Sequence, residues 1–255
     1  MVNTHPSENM MIKLAVSGCH GRMGRKITQR ALQQPERFTI HTLLEHSGHP
    51  KVKEQCEGID VSIDNASLAG ADALIEFTLP DGTMKNLEAC VKYKVPMVIG
   101  TTGLNPEQTE KVNEAAKSIP VIYGTNMSIG VNVLFKATEL VSKKLQDLKD
   151  INVYEEHHVH KIDAPSGTAI TLAEVAEKAS NHDVRHLEPL REGEIIGNHE
   201  IVFESEFDTF KMYHHAKDRA MFALGALEGA AYLAGKKPGL YNMQQVLGLD
   251  KIEIK

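Results

Sequence analysis

Short apolar runs alternate with helical segments through the first half of the chain. The apolar runs, several of them β-branched, lie at residues 12–17, 38–44, 73–77, 95–99 and 120–123. The segments between them that have helical character lie at residues 23–34, 81–93 and 106–117. Strands that alternate with helices are joined by right-handed crossovers into a parallel sheet covered on both faces. This half therefore predicts an α/β domain built on a parallel sheet.

The pattern changes in the second half. Helical segments are predicted at residues 130–145, 168–179 and 218–234, and strands at residues 151–158, 201–207 and 209–215. Grouped strands between long helices predict an α+β domain with a mixed or antiparallel sheet. We expect one domain at residues 1–129 and 238–255, and a second domain at residues 130–237.

Composition excludes several classes of function. The 28 Lys and Arg residues are outnumbered by 34 Asp and Glu, Trp is absent, and aromatics make up 5% of the chain, which disfavours nucleic-acid binding. No run of about 18 apolar residues indicates a membrane segment, and residues 1–10 lack the features of a secretory signal. Three scattered cysteines form no disulfide framework, so we expect a cytoplasmic protein.

Three glycines, Gly18, Gly21 and Gly24, follow the first strand and open the first helix. Glycines permit a tight turn and a close approach of the backbone to a pyrophosphate, and the helix N-terminus adds free N–H groups. Glu45 ends the second strand about 20 residues later, where a carboxylate would bind an adenosine ribose. The GxxGxxG spacing is a variant of the usual GxGxxG, so a plain glycine turn with a solvent-facing Glu45 stays an alternative.

Residues 155–169, EEHHVHKIDAPSGTA, hold the densest chemistry of the chain. On a strand, Glu156, His158 and His160 would share one face, and Glu155 and His157 the other. Three interpretations compete: a His/Glu metal site, a solvated strand end, and an acid–base and anion-binding site. The third is favoured because histidine and lysine can exchange protons or hold an anion. The helix that begins after the Pro-Ser-Gly-Thr turn offers N–H groups to a carboxylate.

Several motifs together resemble the 4-hydroxy-tetrahydrodipicolinate reductase (dihydrodipicolinate reductase) family. They are the glycine turn at residues 18–24, IEFT at 75–78, GTTG at 100–103, NMSIGVN at 126–132 and, most specifically, the His-His to Ser-Gly-Thr segment at 156–168. The resemblance implies a Rossmann-like dinucleotide-binding domain at residues 1–129 and 238–255, and a substrate-binding and tetramerisation domain at residues 130–237. It also implies NADH or NADPH as hydride donor, a small dicarboxylate substrate, a role in lysine and diaminopimelate biosynthesis, and a homotetramer. It requires no metal.

The resemblance also implies roles for individual residues. His157 would be the proton donor with Lys161 as its catalytic partner, and the substrate would contact His158, Gly167 and Thr168. The positions that would contact the cofactor are Gly18, Cys19, His20, Gly21, Arg22, Met23, Glu45, Gly100, Thr101, Thr102, Gly124, Thr125, Asn126 and Met127. The segment at residues 181–201 looks short for the family, so we expect a smaller second sheet.

Two other functions fit parts of the sequence. A non-catalytic NAD(P)-sensing regulator would explain the glycine turn but not the His/Lys segment, because a polar cluster is costly to bury without purpose. Another amino-acid-pathway dehydrogenase of similar layout would share the domains, but the residues DAPSGT at 163–168 disfavour it.

Overall fold

The computed structural model describes residues 11–145 and 147–253. The helices and strands, in chain order, are β1 (Ile12–Ser17), α1 (Arg22–Leu32), β2 (Phe38–Leu44), β3 (Val61–Ser62), β4 (Ala73–Glu76), α2 (Pro80–Tyr93), β5 (Met97–Ile99), α3 (Pro106–Ala116), β6 (Pro120–Tyr123), α4 (Ile129–Lys144), β7 (Asp150–His157), α5 (Gly167–Ser180), β8 (Val184–Arg191), β9 (Asn198–Glu204), β10 (Thr209–His215), α6 (Ala220–Leu233), β11 (Gly239–Tyr241) and α7 (Met243–Val246). None of the described helices is long and apolar enough to cross a membrane.

The chain divides into two compact units. The first unit runs up to Gly124 and adds Ala223–Asn242, and the second comprises Thr125–Phe222 and the residues from Met243 onward. These bounds differ from the predicted ones, which placed residues 130–237 in one domain and residues 238–255 in the other.

Local contacts explain where the two units gain their distant segments. In the first unit, Arg37 forms a bidentate pair with Glu228 of α6, with N–O distances of 2.8 and 2.9 Å. In the second, the side-chain amide of Gln244 in α7 donates to the Asn132 carbonyl of α4 at 2.9 Å. Helix α6 therefore contributes to the first unit although the strands before it belong to the second.

The first unit contains a seven-stranded sheet in the order β11-β6-β5-β4-β1-β2-β3, and every neighbouring pair is parallel. The predicted Rossmann-like parallel sheet is confirmed. Strands β4 and β5 are buried along their whole length, as expected of a sheet covered on both faces. Strands β3 and β11 were not predicted, because two or three residues are too few to show a periodic pattern.

The second unit contains a four-stranded sheet in the order β10-β9-β7-β8. Strand β7 pairs antiparallel with β9 and parallel with β8, so the sheet is mixed, as predicted. Helices α4 and α5 pack on one face through a cluster that includes Phe135, Leu172, Val153 and Phe203. The register of β7 places Glu155 and His157 on this same helix-covered face, because alternate residues of a strand share a face.

Strand β8 was not predicted from the sequence. Its sequence VRHLEPLR shows no apolar alternation, and most of its residues are exposed. Pro189 is tolerated because β8 lies at the sheet edge. A bulge inserts one extra residue: Val184 pairs with Ile151, whereas His186 pairs with Asn152. From there the pairing continues in phase to Arg191 opposite His157.

Candidate active site

The glycine turn after β1 is shaped by its backbone. Gly18 has φ +64°, a left-handed conformation that favours glycine. A Cβ on Gly24 would lie 2.1 Å from the Gly18 carbonyl oxygen, so no side chain fits at that position. Helix α1 begins at Arg22, directly after Gly21, and its first turn contains Met23. The turn thus presents main chain and a helix N-terminus, a combination suited to a pyrophosphate.

Glu45 follows β2 and lies next to this turn. One carboxylate oxygen accepts the backbone N–H of His20 at 3.1 Å, and the other accepts the N–H of His46 at 3.1 Å. These bonds fix the carboxylate, and each oxygen keeps a second lone pair for a ligand. Glu45 is buried, which corrects the alternative of a solvent-facing side chain.

The other predicted cofactor positions also follow parallel strands. Gly100, Thr101 and Thr102 come directly after β5, and Gly124 comes directly after β6. These strand ends lie at the same edge of the sheet as the glycine turn because all the strands are parallel. Thr125, Asn126 and Met127 belong to the second unit.

A buried polar network that the sequence analysis missed ties three of these strand ends together. Glu76 at the end of β4 accepts hydrogen bonds from the Thr78 N–H at 2.7 Å and from the Asn86 amide. Asn86 also donates to the Ser17 hydroxyl at the end of β1, at 2.8 Å. Thr83 of the same helix donates to the Thr101 hydroxyl after β5, also at 2.8 Å. Burial raises the pKa of Glu76. The network holds the ends of β1, β4 and β5 in fixed positions.

In the second unit, a buried carboxylate and imidazole meet on β7. Glu155 Oε2 lies 2.8 Å from His157 Nδ1, and the Glu155 side chain is fully buried. The contact follows from strand geometry, since the two residues are adjacent on one face. A Cβ on Gly197 would lie 2.9 Å from His157 Nε2, so the backbone before β9 passes close to the other ring nitrogen.

Two further groups donate hydrogen bonds to Glu155. Its Oε1 accepts the Ser166 N–H at 3.0 Å and an Arg191 N–H at 2.9 Å. Arg191 also donates to the Asp163 carbonyl and so joins β8 to the loop that carries Lys161. Burial alone would raise the pKa of Glu155, but the hydrogen bonds from His157, Ser166 and Arg191 lower it to about 2. Glu155 is therefore a carboxylate at neutral pH.

His199 lies opposite Glu155 on β9. Its Nε2 is 3.3 Å from the Ser166 hydroxyl and 3.8 Å from Glu155 Oε2. Burial, together with the neighbouring His157, lowers the pKa of His199 to about 3. His199 is thus neutral where Glu155 is charged.

A metal site in this region receives little support from the geometry. Glu155, His157 and His199 bring their donor atoms within 4.8 Å of one another, but the Arg191 guanidinium already neutralises the carboxylate. The alternative of Glu156, His158 and His160 on one strand face is wrong, because β7 ends at His157. Glu156 instead accepts a hydrogen bond from the Asn198 amide at 2.6 Å.

The loop after β7 holds the predicted lysine beside a carboxylate. Lys161 Nζ donates to both oxygens of Asp163, at 2.7 and 2.8 Å. The Lys161 N–H donates to the His158 carbonyl at 3.1 Å, and the His158 N–H donates to the Ile195 carbonyl at 2.7 Å. These backbone bonds fix the loop that carries both residues.

Helix α5 begins at Gly167, and Ser166 caps it by accepting the Ala169 N–H at 3.2 Å. The Thr168 hydroxyl accepts the Asn126 amide at 2.9 Å, and the Thr125 and Thr171 hydroxyls lie 2.9 Å apart. The structure therefore brings Thr125 and Asn126, predicted as cofactor contacts, to the helix end predicted to hold the substrate.

Several residues of this site were missed by the sequence analysis. Asp163 carries a local signal, a carboxylate two positions from Lys161, whereas Ser166 was expected only as part of the turn that opens α5. Arg191 and His199 carry none, since their place depends on the pairing of β8 and β9 with β7.

Comparisons with known proteins agree with this architecture. The family model for the dihydrodipicolinate reductase N-terminus matches residues 12–127, and the model for the C-terminus matches residues 130–247. The chain belongs to the dihydrodipicolinate reductase family. Such reductases use a pyridine nucleotide, which fits the glycine turn and Glu45.

Individual relatives extend the match over nearly the whole chain. A 4-hydroxy-tetrahydrodipicolinate reductase of Geotalea daltonii is 39% identical over 94% of this chain and 100% of its own. One of Nitrosomonas europaea is 36% identical over 93% of this chain and 98% of its own.

A solved structure shares the fold. The dipicolinate-bound dihydrodipicolinate reductase from Paenisporosarcina sp. TG-14 superimposes with a TM-score of 0.76 at 22% identity, covering 92% of this chain and 99% of that one. An amine dehydrogenase from Mycobacterium smegmatis reaches 0.61 at 11% identity, covering 92% of this chain and 96% of its own. At these identities both show the fold alone.

Proposed function

We propose that this protein reduces 4-hydroxy-tetrahydrodipicolinate to tetrahydrodipicolinate with NADH or NADPH, in lysine and diaminopimelate biosynthesis. The observation that carries the proposal is the match to curated reductases of this name over 94% of the chain. The buried Glu155–His157 pair beside Lys161 and the capped start of α5 supplies groups suited to this chemistry.

The cofactor would be held by the backbone of the turn from Gly18 to Met23 and by Glu45, with the strand ends after β5 and β6 beside them. The fit is supported by Gly24, where a side chain would collide with the turn, and by the fixed carboxylate of Glu45. When bound, the reduced nicotinamide supplies the hydride.

The substrate carries two carboxylates, and the second unit offers two kinds of partner for them. The N–H groups in the first turn of α5, at Gly167 and Thr168, are free of intrahelical partners and suit one carboxylate. Lys161 supplies a positive charge and His158 a polar contact. Asp163 holds the Lys161 ammonium in position, so this charge is oriented before substrate arrives.

The ring hydroxyl leaves as water during the reaction, so the overall change consumes one hydride and one proton. We assign the proton to His157. Glu155 holds Nδ1, which orients the ring and directs Nε2 to proton exchange. His157→Gln removes this titrating group and should lower kcat by roughly 10²–10⁴-fold. It should also remove one ionisation from the pH profile of kcat. An unchanged profile would show that another group donates the proton.

The arrangement of the second sheet supports the expected homotetramer. Helices α4 and α5 cover one face, whereas the opposite face carries exposed side chains such as Tyr213, which is 59% exposed. A mixed sheet with one open face suits association with copies of itself. Light scattering on the purified protein should give a four-chain mass, and a monomer mass would refute this assembly.

The proposed reaction is tested by the loss of reduced-nicotinamide absorbance with freshly generated substrate, using NADH and NADPH in parallel. We expect oxidation that depends on the substrate and stops in Lys161→Ala. Nucleotide binding without turnover under these conditions would favour a sensor over a reductase.

A further inference from the structure

The glycine turn carries side chains that hydride transfer does not need. Cys19 and His20 lie in the turn, and Cys56 approaches it from the loop after β2. One donor atom from each lies within 4.8 Å of those of the other two. Cys19 and Cys56 are 0% and 1% exposed, and both are free thiols. We call these three residues the thiol–imidazole cluster.

The ring of His20 is oriented as a metal ligand would be. Its Nε2 lies 3.2 Å from the Glu54 carbonyl oxygen, so the proton sits on Nε2 and Nδ1 keeps a lone pair. Nδ1 is buried and has no hydrogen-bond partner among the described residues. Metal-binding histidines commonly donate their second ring N–H to a carbonyl in this way. The ring also stacks on His49 with centroids 5.4 Å apart.

The Cys19 and Cys56 thiols are buried close to each other. The Cys56 thiol donates to the Cys19 carbonyl at 3.2 Å. Burial, together with the neighbouring Cys56 and Glu45, raises the pKa of Cys19 to about 12. Burial also raises the pKa of Cys56. A divalent cation bound by thiolates displaces the thiol protons.

We propose that Cys19, His20 and Cys56 form a Cys2His binding site for one thiophilic divalent cation of the zinc class. Two thiolates and a neutral imidazole match the charge and the softness of such an ion, whereas Mg²⁺ and Ca²⁺ prefer oxygen ligands. The three side chains leave a fourth tetrahedral position for water or an external ligand. The proposal does not depend on the reductase activity.

The test is a Co²⁺ titration of the full-length protein, kept reduced with a phosphine and without nucleotide. We expect one ion per chain, with thiolate-to-cobalt charge-transfer absorption and the visible bands of a tetrahedral site. Two protons should be released for each ion bound. Zn²⁺ should displace the cobalt and abolish the absorption.

Variants locate the site. Cys56→Ala should remove the charge-transfer absorption and weaken binding more than about 100-fold, beyond the 10–100-fold cost of losing an outer-shell group. Cys90→Ala is the matched control, because Cys90 is equally buried in α2 but outside the cluster, and its absorption should equal that of the wild type. His20→Ala keeps both thiols and tests the imidazole if Cys56→Ala does not fold. Absorption that is absent in the wild type, or that persists in both cluster variants, refutes the proposal.

Discussion

The glycine turn of the first unit and the carboxylate–imidazole site of the second solve different physical problems. The turn offers main-chain groups that pack closely, so a position such as Gly24 can carry no side chain. The second site offers charged side chains, so its requirement is that each buried charge has a partner, as Glu155 shows. A backbone site depends on neighbours in sequence, whereas a side-chain site depends on neighbours in the sheet.

The largest effect is expected from removing a charged side chain from the second site. Lys161→Ala should lower kcat by roughly 10³-fold, within the range for acid–base groups, because the oriented ammonium is lost. The dissociation constant for NADH, measured by fluorescence, should stay within about twofold. The matched control is Lys111→Ala, whose ammonium pairs with Glu107 at 3.0 Å on the surface and should leave kcat unchanged. An equal loss of NADH binding in Lys161→Ala would remove the distinction between the two sites.

The next largest effect is expected from adding a methyl group to the glycine turn. Gly24→Ala places a Cβ 2.1 Å from the Gly18 carbonyl oxygen, so the turn must open. We expect NADH affinity to fall by more than about tenfold, and stability by about 1–3 kcal/mol, the usual cost of overpacking. Gly48→Ala has no contact closer than 3.4 Å and serves as the control. Normal NADH affinity in Gly24→Ala would show that the turn does not depend on close backbone packing.

The buried charge of the second site predicts a pH dependence of stability. The folded pKa of Glu155 is about 2, below the ordinary value of 4.5. Because the carboxyl pKa is lowered in the folded state, ionised Glu155 stabilises the fold at pH values above its unfolded pKa. This stabilisation, roughly 3 kcal/mol, is lost as the pH falls from about 4.5 toward 2. Glu155→Gln should be less stable at neutral pH and lack this part of the acid loss.

Denaturant unfolding at several pH values measures that difference. Glu156→Gln is the matched control, because Glu156 lies on the other sheet face and accepts only from Asn198 among the hydrogen bonds described. His199 adds a loss of the same sign at higher pH, because its pKa is lowered from 6.5 to about 3. Stability that is equally acid-sensitive in Glu155→Gln and wild type would contradict the assignment.

The smallest effect concerns the choice of nucleotide. The Glu45 carboxylate repels the additional phosphate of NADPH, so Glu45→Gln should raise the NADPH-to-NADH ratio of kcat/KM by about tenfold, equivalent to roughly 1.4 kcal/mol. Glu88→Gln, on the exposed side of α2, should leave the ratio unchanged. A constant ratio in Glu45→Gln would place the ribose contact elsewhere.

The difference between the sites also explains what could be predicted from sequence. The parallel sheet, the glycine turn and the His-Lys segment could be predicted because the residues that signal each of them lie close together in sequence. Arg191 and His199 could not be found, because nothing near them in sequence shows that β8 and β9 flank β7. Helix α6 was predicted to lie in the domain of residues 130–237, whereas its residues from Ala223 onward belong to the first compact unit, where Glu228 pairs with the distant Arg37. The cofactor and catalytic roles of the individual residues stay predictions.

The bulge at the start of β8 determines whether this edge strand can contact Glu155. Because side chains alternate with every residue, the extra position sets the parity of all that follow. Arg191 reaches Glu155 only in that parity, and a single deletion between Arg185 and Leu190 would turn the guanidinium to the opposite side of the sheet. The buried carboxylate of Glu155 thus constrains the length of a strand at the edge of the sheet.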